Sequence, residues 1–195
     1  MHSPRRVDRL VYLDAAVDHR QLYHTPGWLA AFPTEPPYPS YGDYGGNSIP
    51  AWQLWAERLS GPEYPEAELR SMFRLDTKGI VIGRAAADSI ERVIQRGTLP
   101  AHFNQIRAPA LAIYAVAENP QVMFPFWNSL SSAGQARARK NYTVISDAWR
   151  RQIERFRREV SHVRMREIPG GRHYVFLTHS GEVRHEMLDF LLADL

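Results

Sequence analysis

The sequence predicts an α/β fold, a small parallel sheet flanked by helices, and three observations carry that prediction. Leu10 to Leu13 is a continuous apolar run ending at Asp14, as strands of a parallel sheet covered on both faces are. Two later runs, Ala110 to Val116 and Val163 to Ile168, read as further strands, and helical spacing appears between them and again after the last. Strands alternating with helices argue for parallel pairing through right-handed crossovers. The last strand runs into a Pro169-Gly170-Gly171 break that presents His173 beside Tyr174.

Taken in order, Arg5 to Asp14 holds the first strand, and Val17 to Gln105 separates it from the second. A connection of that length is too long for a simple crossover. Its first part is rich in proline, glycine and aromatics, including Trp28, Phe32, Tyr38, Tyr41 and Tyr44. Beyond it, Pro50 to Leu59, Pro65 to Leu75 and Ala85 to Arg96 carry apolar residues at helical spacing, with Pro50 and Pro65 suited to first-turn positions. The expected organisation is therefore a sheet strand in 1–16, a helical cap insertion in 17–105 and a second part of the core in 106–195.

Arg107-Ala108-Pro109 introduces the second strand. The segment Arg137 to Arg166 that follows it holds most of the cationic excess. Tyr142, Ile145, Trp149, Ile153, Phe156 and Val160 recur there every three or four residues, so its arginines form the wet face of a helix packed by its other side. A basic face without a recognition motif is weak ground for a nucleic-acid partner, and none is assigned. The terminal helix, over Glu182 to Leu192, carries Val183, Met187, Phe190 and Leu191.

The 195 residues, 44% hydrophobic and 23% charged, are enough for one domain with a real core. The absence of cysteine excludes disulfides, thiolate catalysis and cysteine-ligated metals, and leaves the compartment open. No apolar run is long enough to span a bilayer, and Met1 to Arg6 is followed by no apolar stretch of a signal peptide. The chain thus reads as soluble, with no membrane partner. The net charge of +3 is small. His2, His19, His24, His102, His162, His179 and His185 show no metal-ligand spacing with nearby carboxylates, and no metal or cofactor is assigned.

The Arg107-Ala-Pro-Ala-Leu-Ala-Ile-Tyr114 strand, the Pro169-Gly-Gly-Arg-His-Tyr174 loop and their order resemble the carboxyl-terminal part of α/β hydrolases with a cap after the sixth strand. The resemblance implies that Val7 to Asp14 is that sixth strand, Ala110 to Val116 the seventh and Val163 to Ile168 the eighth. It also implies that His173 is the general base. The orienting acid would be Glu118, just beyond the seventh strand, or Asp14, at the end of the sixth, and spacing favours Glu118. Asp14 could equally cap a turn, and Glu118, before Asn119-Pro120, could be an exposed loop residue.

The first five strands, the oxyanion-hole loop and the nucleophile elbow of such enzymes have no counterpart here. Gly46-Asn47-Ser48-Ile49-Pro50 is the nearest match to G-x-S-x-G, with proline at the last glycine. The expectation is that Met1 lies inside a longer gene or that the upstream part was lost. The implied activity is hydrolysis of a small apolar ester, amide or related acyl compound; an aspartate nucleophile would change the bond attacked. This chain alone would be inactive, and its first strand, an unpaired sheet edge, would favour self-association. Two other readings stay open: a non-catalytic binding remnant, and a basic helical module for an anionic partner. The cap aromatics, with Trp52 and Trp55, would line an apolar pocket or pack the cap on itself, and Phe124-Pro125-Phe126-Trp127 is open to the same two readings.

Overall fold

The computed structural model of the chain describes residues 7–27, 47–60, 64–86, 89, 90, 93 and 99–193. Strands β1 (Leu10–Leu13), β4 (Ala110–Val116) and β5 (Val163–Pro169) form a parallel sheet in the order β1-β4-β5. Leu10 to Leu13 pair in register with Ala110 to Ile113, and Ala110 to Val116 with Val163 to Pro169. Successive side chains of a strand point to opposite faces, so β4 divides its residues between two cores. Ala110, Ala112 and Tyr114 belong to one, Leu111, Ile113 and Ala115 to the other.

The first core is closed by α5 (Ser132–Glu159), a helix of 28 residues started by Ser131, whose Oγ accepts from the Gly134 N–H at 3.2 Å. Ala138, Ile145, Ala148, Ile153 and Phe156 are buried along it. The Phe156 ring meets Tyr12 and Phe103 edge-on, at 5.3 and 4.9 Å between centroids. Its opposite side is wet, as the spacing predicts, with Arg137, Arg139, Lys140, Arg150, Arg151, Arg157 and Arg158 exposed. The second core is closed by Val175 of α6 (Val175–Thr178) and by Val183 and Phe190 of α7 (Ser180–Leu192). Arg164 and Arg166 of β5 pair with Glu186 and Glu182 of α7, and Arg157 with Glu167 at 2.8 Å, so part of the basic segment is neutralised within the fold.

Between β1 and β4 lie α1 (His19–His24), α2 (Ile49–Ser60), α3 (Glu66–Met72) and an antiparallel hairpin of β2 (Phe73–Leu75) and β3 (Val81–Arg84). The hairpin corrects two expectations: Pro65 to Leu75 is not one helix, and the insertion is not purely helical. The Asp76 side chain accepts from the N–H groups of Lys78 and Ile80, at 2.9 and 2.8 Å, and Gly79 takes the left-handed φ of 78° that closes the turn. That local bonding turns the chain back after Met72. Ile49, Ala56, Tyr64, Leu69 and Val81 form a third apolar cluster. Of the helix expected over Ala85 to Arg96, residues 89, 90 and 93 are helical, while residues 87, 88, 91, 92 and 94–96 lie outside the described residues. The proline- and aromatic-rich stretch of residues 28–46 lies outside them as well. Among the described residues no helix is long and apolar enough to cross a membrane.

A buried ionic clamp joins three distant segments. Asp18 caps α1 through its Oδ1, which accepts from the Gln21 N–H, and its Oδ2 accepts from Arg155 Nη1 at 2.6 Å and the Ala101 N–H at 3.3 Å. Arg155 Nη2 donates in turn to the Ala101 carbonyl, and the Asp18 N–H to Gln152 Oε1. Although burial alone would push the Asp18 carboxyl up, the Arg155 guanidinium and the backbone donors hold it below its ordinary value. Asp18→Ala should cost about 3 kcal/mol in urea unfolding, since it removes charged hydrogen bonds from a buried site. A carboxylate held low stabilises fully above its unfolded pKa of about 3.9 and loses that contribution as pH falls further. Acid titration should therefore unfold the native chain more steeply below that pH than it does the variant.

Candidate active site

β1 does not end cleanly at Leu13. The Asp14 N–H still donates to the Ile113 carbonyl at 2.7 Å, and the chain then bends through a left-handed φ of 49° at Asp14 itself. Non-glycine residues adopt that conformation at a cost, and aspartate tolerates it better than most. The bend turns the carboxylate back over the sheet, where it is 4% exposed. Its Oδ1 accepts from the Ala115 N–H at 2.9 Å, and its Oδ2 lies 2.9 Å from His173 Nδ1.

The loop after β5 brings the histidine there. The Gly170 N–H, at a φ of 72°, donates to the Val116 carbonyl, and the Gly171 N–H to the Ile168 carbonyl. A Cβ on Gly171 would stand 2.9 Å from the Ile168 carbonyl oxygen and 3.2 Å from Ala115 Cα and Cβ. Only glycine lets the loop lie this close on the end of β4. An ionised carboxylate accepts and does not donate, so Nδ1 carries the proton and Nε2 is left as the basic nitrogen. The hydrogen bond to Asp14 raises the His173 pKa; burial raises that of Asp14, which its bonds to His173 and Ala115 offset only in part. Both directions keep a proton between the two groups.

Of the three site residues read from the sequence, the structure brings together His173 and Asp14, so the acid bonded to the imidazole is Asp14 and not Glu118, which spacing favours. Glu118 is exposed beyond the end of β4, where the chain turns into α4 (Pro120–Met123), capped by Asn119. Its Oε2 comes to 3.7 Å from where a Cβ on Gly170 would lie. Ser48, of the nearest G-x-S-x-G match, starts α2: its Oγ accepts from the Ala51 N–H at 3.3 Å.

A cavity of about 420 Å³ opens beside the pair. Asp14, Gly171, His173 and Tyr174 line one end, residues 115–117 with Met123 and Pro125 another wall, and Ile145, Ser146, Trp149 and Ile153 of α5 a third. Trp52 and Trp55 pack on each other and within the insertion, as do most aromatics that bury large area. Trp28, Phe32, Tyr38, Tyr41 and Tyr44 lie outside the described residues. Phe124, Phe126 and Trp127 are buried in the first core, leaving Pro125 at the cavity. Tyr64, which sequence reasoning missed, reaches the cavity and meets Tyr174 edge-on at 4.9 Å, and Tyr174 in turn lies 5.1 Å from His173. The histidine loop is thereby packed on the insertion. Among the described residues no group of three His, Asp or Glu side chains could hold a metal ion.

No family model, curated protein or solved structure matches the chain.

Asp14→Asn should lower the His173 pKa toward its ordinary value of about 6.5, read by NMR titration, and Glu118→Gln should leave it in place. The stability that the pair contributes through His173 is present below that ordinary value and lost as pH rises through the raised one. Gly171→Ala should destabilise the fold by about 2 kcal/mol and lower the same pKa, because the loop must lift off Ala115.

Proposed function

We propose that this chain is the carboxyl-terminal part of an α/β-hydrolase-type enzyme that cleaves a small apolar ester, amide or related acyl compound. The observation that carries the reading is the Asp14–His173 hydrogen bond, made at the carboxyl ends of parallel strands beside a largely apolar cavity. Nε2 takes the proton of the nucleophile as it attacks the acyl carbon. Asp14 stabilises the imidazolium that forms, and the proton passes to the leaving group. In the second half-reaction the same nitrogen activates the water that releases the acid.

The nucleophile and oxyanion donors are supplied by a segment outside these 195 residues. The shape of the sheet supports this. The N–H groups of Leu10 and Asp14 donate to the Pro109 and Ile113 carbonyls on the β4 side, so the alternate residues Val11 and Leu13 direct their backbone groups to the outer edge of β1, which no described strand covers.

The 195-residue chain should hydrolyse p-nitrophenyl acetate no faster than free imidazole does. The product of the longer reading frame should turn it over, and His173→Ala or Asp14→Asn in that product should lower kcat by about 10⁴-fold. An unchanged rate in the His173 variant, or an upstream frame closed by a stop codon before any nucleophile motif, would remove the enzymatic reading. By sedimentation velocity the 195-residue chain should associate through the β1 edge. A monodisperse monomer that melts cooperatively would count against the missing-segment account.

A further inference from the structure

The cavity wall read from the sequence as a helix's packing face carries the further inference. Ile145, Trp149 and Ile153 repeat on one side of α5, with Ser146 beside them, and line the cavity together with residues 115–117 at the end of β4. A stripe of this kind ordinarily closes on its sheet, because protein interiors leave few voids larger than a water molecule. Here Ile145 and Ile153 are buried in the first core, yet with Trp149 they also line the cavity at its edge. The Tyr142 hydroxyl of α5 donates to the Ala117 carbonyl at 3.0 Å, which fixes the spacing at one end of the gap. The Arg155–Asp18 clamp holds the helix further along.

The lining of this space is mostly apolar, and Arg150, Glu167 and Arg172 join Asp14 and His173 as its charged or titratable side chains. An apolar slot with a few convergent polar groups is the form ligand sites take. A cavity of about 150 Å³ suffices for benzene, so one of about 420 Å³ accommodates one to two rings.

We propose that the gap between α5 and the end of β4 is a preformed acyl-binding slot for an aromatic group of one to two rings, with Ser146 and Trp149 setting its width and depth. The proposal rests on the hydrolase reading only for the direction of the ligand, whose carbonyl points to His173. The slot itself needs no nucleophile.

Titrating the 195-residue chain with benzamide, an unreactive neutral acyl compound, tests it by NMR. Benzamide should shift the Trp149 indole and His173 imidazole signals together and saturably, and acetamide should bind about 100-fold more weakly for want of the ring. Ser146→Phe should weaken benzamide at least about tenfold, a loss of about 1.4 kcal/mol, while the Nδ1–H signal of His173 stays in place to report an intact fold. Trp149→Ala should bind 1-naphthamide more tightly than the native chain does. Benzamide that does not bind, that leaves the Trp149 signal unmoved, or that binds Ser146→Phe and the native chain equally would overturn the slot. Binding without turnover by the longer product would remove the hydrolase reading and leave the slot, and turnover without benzamide binding would do the reverse.

Discussion

Strand β4 is buried over Ala110–Ala115, and a backbone so enclosed must find a partner for every N–H and carbonyl it carries. The architecture follows from that demand. β1 and β5 flank the strand, and the apolar stripe of α5 and the residues of α7 shut water from its two faces. Small residues at Ala110 and Ala112 leave room on the α5 side for the rings of Tyr12, Phe103 and Phe156. The one polar atom among the β4 side chains, the Tyr114 hydroxyl, is answered by the Ala16 carbonyl at 2.8 Å, since leaving it unpaired would cost more than the bond returns.

The same strand organises the candidate site. Its last buried residue, Ala115, donates its N–H to Asp14 and receives Gly171 in van der Waals contact, so the carboxylate and the imidazole are positioned against one fixed backbone. The left-handed turn at Asp14 carries a conformational cost of about 1–3 kcal/mol. Its own N–H bonded to the Ile113 carbonyl, and the bonds its carboxylate accepts from Ala115 and His173, hold that residue there. Strain held by its surroundings in this way is common where a side chain must be aimed rather than merely buried.

Much of this was legible in the sequence. The strands at Leu10, Ala110 and Val163, the long arginine-faced helix and the terminal helix each announce themselves by apolar pattern, and the pattern survives because their buried faces are continuous. The β2–β3 hairpin was missed because Leu69, Phe73 and the residues before them also fit a helix, while the turn depends on one side chain, Asp76, bonding its own backbone. The choice between Asp14 and Glu118 was not legible by counting. It depends on a positive φ at one residue and on how closely Gly171 approaches β4, neither of which has a period. The α5 wall of the cavity was hidden for the opposite reason: an apolar stripe looks the same whether or not a cavity opens at its edge.

The pairing of β1 with β4 is also a ruler for the Asp14–His173 pair. If β1 slid by a single position along its neighbour, Leu10, Tyr12 and Val11, Leu13 would exchange sides, and the residue beneath the imidazole would be Leu13 or Ala15 in place of a carboxylate. One alignment error would thus expose apolar side chains and break the Asp14–His173 hydrogen bond together. The chain keeps that buried pair only in the alignment that also keeps it folded.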